Sequence, residues 1–260
     1  MVVFTVIWCS EAWRLALVPE SPYAGTTGWI RDWLAAFVAT AALAGGLTGF
    51  FSLSAAVPGL ALVTQIGLGL ALWQQRGRGT RLTAADRVTL ARSVPIAILV
   101  GLLADTSLFL AQPAVIFSLA AVAVLMDGAD GLVARRLGCE TRAGARFDME
   151  LDGFALLVLA AWVASLDRAG PWVLLIGAWR YLFIMAGRFH PPLQRPLAFS
   201  QRRRVICGLQ GVGLVICLLP GLPHSATQPL AAALVALVSY SFIVDLLALA
   251  RPLSKTGANP

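Results

Sequence analysis

Eight predominantly apolar stretches, at about residues 33–53, 57–74, 88–108, 112–134, 148–166, 171–188, 205–221 and 229–250, take up most of this chain and leave only short gaps between them. Roughly 20 apolar residues are what a helix needs to cross the hydrocarbon layer of a bilayer. Of the 260 residues, 58% are hydrophobic and 13% charged, against about 45–50% and about 25% in an ordinary soluble domain. Too little polar surface remains to cover a water-soluble globule. The pattern predicts an all-α, polytopic transmembrane helix bundle with no large domain outside the membrane.

Charge sets the orientation. The formal net charge is +7, from 20 basic and 13 acidic residues, and in a soluble protein that balance points to nucleic acid. Here the arginines fall in the gaps: Arg76, Arg78, Arg81, Arg87 and Arg92; Arg135, Arg136, Arg142 and Arg146; Arg188, Arg195, Arg202, Arg203 and Arg204; then Arg251 with Lys255. The alternate gaps, 167–171 and 220–229, carry almost no net positive charge. Loops rich in Arg stay on the cytoplasmic side, so the alternation predicts a multi-pass protein with both ends cytoplasmic and no nucleic-acid partner. Cys9, Cys139, Cys207 and Cys217 lack disulfide or zinc spacing and read as packed thiols. His190 and His224 both stand beside a proline in a gap and form no metal set. Residues 2–9 lack the basic start and small-residue cleavage site of a signal peptide, so none is expected.

Residues 1–32, with Trp8, Glu11, Trp13 and Arg14, read as an interfacial segment. The runs at 33–53 and 57–74 read as two spans or, because Gly45, Gly46, Gly49, Pro58 and Gly59 interrupt them, as a re-entrant hairpin. The polar, Gly-rich stretch from Gln74 to Gly79 marks a divide near residue 80. It separates an N-terminal extension, 1–79, from a six-helix domain, 80–260. Trp33, Trp73, Trp162, Trp172 and Trp179 fall near predicted span ends, where an amphipathic ring prefers to sit.

Asp127, Asp130, Asp148 and Asp152 lie at the cytoplasmic ends of two apolar stretches. Ionisable groups within spans are costly and mark function by default. Spacings of i,i+3 and i,i+4 put each pair on one helical face, and the short loop between them predicts antiparallel neighbours whose acidic faces meet. Carboxylates at that range repel one another, and hard divalent cations such as Mg²⁺ relieve the repulsion through oxygen ligands. Gly128, Gly131 and Ala134 remove bulk beside the acidic pair. Arg135 adds a donor fork suited to phosphate, and Gly144 is expected in the connecting loop. Glu150 lies on another face and reads as peripheral. Metals, small residues and Arg together describe a pyrophosphate-containing ligand.

The pattern Asp127-x-x-Asp130-Gly131-x-x-Ala134-Arg135, eight residues, Gly144-x-x-x-Asp148-x-x-x-Asp152 resembles the signature of the CDP-alcohol phosphatidyltransferase family at every position. The resemblance covers roughly residues 80–255. A further family feature near the first core helix is kept at Thr89 and Arg92, with Ala85-Asp86 where the family commonly has Pro-Asn. The resemblance implies six core helices, a cytoplasmic active site, and two divalent ions, Mg²⁺ or Mn²⁺, held by Asp127, Asp130, Asp148 and Asp152. It implies that Gly131, Ala134, Arg135, Gly144, Thr89 and Arg92 line the nucleotide and phosphate site. Asp152 looks like the general base that takes the proton of an acceptor hydroxyl while CMP leaves, and a homodimer is implied too.

The leading expectation is phospholipid synthesis by phosphatidyl transfer from CDP-diacylglycerol to a small polar alcohol. The basic mouth, including Arg203 and Arg204, favours a phosphorylated acceptor such as glycerol 3-phosphate or an inositol phosphate, or else sets topology and touches anionic lipid. Arg180 lies inside a predicted span and reads either as an acceptor ligand or as a structural partner of Asp245. Gln210 is a further intramembrane polar residue. The alternatives are transfer of a CDP-linked head group to diacylglycerol and a non-enzymatic ion-coupled transporter.

Overall fold

The computed structural model describes residues 28–76, 82–137, 142–189 and 200–250, and every regular element among them is helical. In chain order these are α1 Gly28–Phe51, α2 Ala56–Arg76, α3 Ala84–Leu102, the short α4 Ser107–Ala111, α5 Pro113–Leu137, α6 Arg142–Ser165, a 3₁₀ turn Pro171–Leu174, α7 Leu175–Phe189, α8 Gln201–Cys217 and α9 His224–Ala250. The eight long helices correspond to the eight apolar stretches, as an all-α polytopic bundle requires. In lipid a helix satisfies its own backbone, which is why such stretches fold this way.

Four segments, Gly28–Phe51, Ala56–Gln74, Pro171–Phe189 and His224–Leu249, are long and apolar enough by themselves to cross a membrane. The other long helices, α3, α5, α6 and α8, carry most of the charged residues of the site described below; Arg180 on α7 is the exception. The first two helices, with 24 and 21 residues at about 1.5 Å rise per residue, each exceed the roughly 30 Å hydrocarbon layer. They are full-length helices and not a re-entrant hairpin.

Several boundaries move. The third helix stops at Leu102, ahead of a turn at 103–106, and α6 begins at Arg142, ahead of the expected start at residue 148. Gly144 therefore lies in the first turn of α6 and not in a loop. The interfacial reading of residues 1–27 and the thiols Cys9 and Cys139 lie outside the described residues; Cys207 and Cys217 are free thiols.

Successive long helices alternate in direction and give the bundle two polar ends. One end carries the ion pairs Asp32 with Arg87, Arg92 with three aspartates, Arg180 with Glu150, and Arg202 with Asp245. The other carries Ser54 bonded to Asp105, and Arg168 bonded to the carbonyl of Leu222. Between them α3 is buried along nearly its whole length, with Leu90, Ile96, Ile98, Leu99 and Leu102 in the core. It packs against α1, α2, α5 and α6. Trp162 is fully buried on α6 and donates its Nε1–H to the Leu99 carbonyl of α3 at 2.9 Å. It is a core residue, where the position near a span end suggested an interfacial anchor.

Candidate active site

Helix α3 opens with a capping box. The Thr83 N–H donates to Asp86 Oδ2 at 2.7 Å, and the Asp86 N–H donates to Thr83 Oγ1 at 3.3 Å. Such a box satisfies backbone donors that a helix start leaves open, and here it fixes the register of the turns that carry Thr89 and Arg92. Thr89 is buried and turns its hydroxyl back on its own helix, donating to the Ala85 carbonyl at 3.2 Å.

Arg92 is 2% exposed and directs its guanidinium at carboxylates of two other helices. Its Nη1 pairs with Asp127 of α5 and lies 2.7 Å from Asp152 Oδ1 of α6, while Nη2 donates to Asp148 Oδ1 at 2.5 Å. Carboxylate oxygens of Asp127, Asp148 and Asp152 lie within 4.8 Å of one another. Among the described ion pairs one guanidinium faces three carboxylates. Asp127 is exposed and Asp148 and Asp152 are half-buried, so the cluster opens to one side. Oδ1 of Asp152 is buried and accepts no well-directed hydrogen bond; its contact with Arg92 is an ion pair only. A hard cation takes such oxygen donors, and the donor set fits one.

The arrangement differs from the expected one in how the helices meet. Helices α5 and α6 touch each other little, and α3 packs against both. The two acidic faces meet across Arg92, which supplies the counter-charge that direct packing of one carboxylate face on another would lack. Asp130, Gly131, Ala134 and Arg135 continue α5; their side chains lie outside the described residues, as does that of Arg204.

A small cleft adjoins the cluster between α6, α7 and α8, lined by Met149, Asp152, Gly153, Ile176, Arg180 and Cys207. Glycines bring its walls together. A Cβ at Gly177 would lie 2.5 Å from Leu157 Cα, so α7 rests directly on the α6 backbone. One turn further along, the Arg180 side chain crosses Gly153 where a Cβ would collide with it.

Arg180 is 8% exposed, and its Nη2 donates to Glu150 Oε1 at 2.6 Å. Its Nε has no hydrogen-bond partner. The alternative pairing with Asp245 does not form: Asp245 accepts from Arg202 Nη2 at 2.6 Å and lies 3.5 Å from Arg203 Nη1. Sequence reasoning set Glu150 aside because it turns away from the aspartate face, yet that turn is what aims it at α7. Arg203 is buried one helical turn before Cys207. Gln210 donates to the Leu234 carbonyl at 2.9 Å and joins α8 to α9.

Two polar residues went unnoticed in the sequence, Gln65 and Ser93, both fully buried and hydrogen-bonded to each other. A lone amide in the middle of the apolar run 57–74 was the available signal, since such a group in a span demands a partner.

The fold and the cluster together define a polytopic helix bundle with a candidate hard-cation site at one polar end. A family model for CDP-alcohol phosphatidyltransferase matches residues 82–247. The chain belongs to this family of membrane-integral, divalent-metal-dependent phosphotransferases, which act on CDP-alcohols in phospholipid synthesis. The match starts two residues before α3 and leaves α1 and α2 outside it. No curated protein and no solved structure is significantly similar to the chain.

Proposed function

We propose that the protein transfers a phosphatidyl group from CDP-diacylglycerol to a small phosphorylated alcohol, glycerol 3-phosphate or an inositol phosphate, and releases CMP on the cytoplasmic side. The observation that carries this reading is the gathering of Asp127, Asp148 and Asp152 beside a cleft whose wall holds the buried Arg180. The cytoplasmic assignment rests on the Arg-rich gaps of the sequence, of which the described Arg87, Arg202 and Arg203 lie at the aspartate end of the bundle.

In this reading Asp127, Asp130, Asp148 and Asp152 hold two divalent ions, Mg²⁺ or Mn²⁺. Ions bound there would supply positive charge to the donor pyrophosphate and to both the entering and the leaving oxygen of a phosphoryl displacement. Gly131, Ala134 and Arg135 on α5, Gly144 on α6, and Thr89 and Arg92 on α3 form the nucleotide and phosphate side. Arg92 also holds three of the carboxylates in one cluster. Residues 80–260 form the catalytic unit and 1–79 an accessory one.

Asp152 stands where the cluster meets the cleft and takes the role of general base. Its carboxylate accepts the proton of the acceptor hydroxyl as that oxygen bonds to the β-phosphorus of the donor. The bond from this phosphorus to the bridging oxygen breaks, and CMP leaves with the electron pair. Arg180, Arg203 and Arg204 form the acceptor side, where a guanidinium fork matches a phosphate.

The test is CMP release by purified protein in detergent with CDP-diacylglycerol and Mg²⁺ or Mn²⁺, across phosphorylated and unphosphorylated alcohols. Release that needs a divalent ion and one phosphorylated acceptor is expected. Release only with CDP-choline-type donors and diacylglycerol, or none with any donor from folded protein, overturns the reading.

A further inference from the structure

We infer that Gln65 on α2 is a positioning residue for the active site, and that the N-terminal helix pair outside the family match acts through it as a brace on α3, setting how Arg92 meets the three carboxylates. The inference rests on the reading of that cluster as the metal and phosphate site.

Gln65 and Ser93 are both 0% exposed. Gln65 Nε2 donates to Ser93 Oγ at 2.9 Å, and Ser93 Oγ donates to the Leu90 carbonyl of its own helix at 2.6 Å. The Gln65 backbone carbonyl accepts from Trp33 Nε1 on α1 at 3.2 Å. A chain of hydrogen bonds, part-buried at Trp33 and buried from Gln65 onward, thus runs from α1 through α2 into α3, and it ends on the residue next to Arg92. Neighbours on a helix point about 100° apart, so Ser93 faces the brace while Arg92 faces α5 and α6.

Apolar packing is non-directional and leaves a buried helix some freedom to rotate. Hydrogen bonds are directional and remove it. The need is local, because Pro95 lacks the N–H that would bond to the Ala91 carbonyl, and α3 is one backbone bond short beside Arg92. Two further contacts fix the helix pair on either side of this point. Asp32 of α1 pairs with Arg87 at 2.8 Å, and a Cβ at Gly101 would lie 2.5 Å from the Val57 carbonyl oxygen of α2. The brace therefore holds α3 at both ends by charge and close approach, and in the middle by the Gln65–Ser93 bond.

The experiment compares wild type, Gln65→Leu, Ser93→Ala and the double variant in the full-length protein. Leucine keeps the bulk of Gln65 and removes the amide. CMP release gives kcat and the acceptor KM, titration of free Mn²⁺ without substrate gives metal affinity, and thermal melting gives stability. Misplacement of reacting groups by about 1 Å costs up to about 100-fold in rate. The expected result is about a tenfold lower kcat and at least about a threefold weaker Mn²⁺ affinity in either single variant, with acceptor KM unchanged and the double variant no worse than either. Wild-type kcat and Mn²⁺ affinity in a variant that only melts earlier overturn the inference, as do additive losses in the double variant. Should Gln65→Leu fail to fold, Ser93→Ala carries the same comparison. If wild type binds Mn²⁺ but releases no CMP, the proposed reaction fails while the Mn²⁺ comparison still decides this inference; absence of both in the wild type removes the reading beneath it.

Discussion

Arg92 Nη1 on α3 stands 2.7 Å from Asp152 Oδ1 on α6, and the same guanidinium pairs with Asp127 and Asp148. A buried cation is thus the internal counter-ion of a carboxylate cluster that also suits a divalent ion. Arg92→Gln leaves the three carboxylates to repel one another without it. Removing one partner of a buried ion pair costs about 3–5 kcal/mol, and the partial exposure of the aspartates lowers this to about 2–3 kcal/mol through solvent screening. The variant is expected to melt about 5–10 °C lower in EDTA. The check is melting of both proteins in EDTA. Equal melting of the two speaks against Arg92 as counter-ion.

Asp152 is the carboxylate shared by the cluster and the cleft. Asp152→Asn keeps the shape and removes the proposed base. General-base catalysis contributes about 10²–10⁴ in rate, so kcat for CMP release is expected to fall at least about 100-fold, with the acceptor KM little changed. Melting in EDTA should not be lower than wild type, because the substitution removes one of three like charges. Near-normal kcat takes the base role away from Asp152.

How much of this was legible in the sequence depends on the kind of residue. The eight long helices follow from length and apolarity, which need no tertiary information. The cluster of Asp127, Asp148 and Asp152 follows from helical spacing and from the cost of placing carboxylates in a span. The role of Arg92 does not, because a charge eight residues into a helix looks the same whether it meets a lipid phosphate or an internal aspartate. Glu150 and Gln65 escaped for a related reason. Each takes its meaning from a partner, Arg180 and Ser93, far away in the chain. The spacing of Trp162 pointed to the interface, and only the packing of α6 on α3 shows that its N–H has a carbonyl to meet inside the core.

At the opposite end of the bundle, Asp105 ties the turn after α1 to the turn after α3. Its Oδ1 accepts from the Ser107 hydroxyl at 2.6 Å, and its Oδ2 accepts from the Ser54 N–H at 2.8 Å. The Ser107 hydroxyl, followed by the Ser54 and Ser107 backbone N–H groups, holds the carboxyl below the usual carboxylate range. A depressed folded-state pKa contributes stability above the unfolded value of about 3.9, and that contribution is lost as pH falls through the folded value. The difference in melting temperature between wild type and Asp105→Asn is therefore expected to be small, constant from about pH 8 to pH 5, and to shrink below about pH 4. Melting curves across that range check it; a difference that grows on acidification contradicts the clasp.

In the proposed reading Arg180 and Glu150 set the acceptor preference. Arg180 crosses Gly153 into the cleft, and Glu150 holds its Nη2 at 2.6 Å while Nε has no partner. A phosphate entering the cleft competes with the Glu150 carboxylate for the same guanidinium. Glu150→Gln keeps a hydrogen-bond acceptor beside Arg180 but removes its charge, so the KM for a phosphorylated acceptor is expected to fall severalfold with kcat nearly unchanged. Arg180→Ala loses a charge-assisted contact of about 1.5–3 kcal/mol, which corresponds to a KM about 10–100 times higher. The two substitutions thus act in opposite directions on one kinetic constant, and acceptor titrations of both variants measure it. Loss of stability without a KM change in Arg180→Ala, together with an unchanged KM in Glu150→Gln, makes the pair a packing contact and leaves acceptor recognition to the arginines of α8.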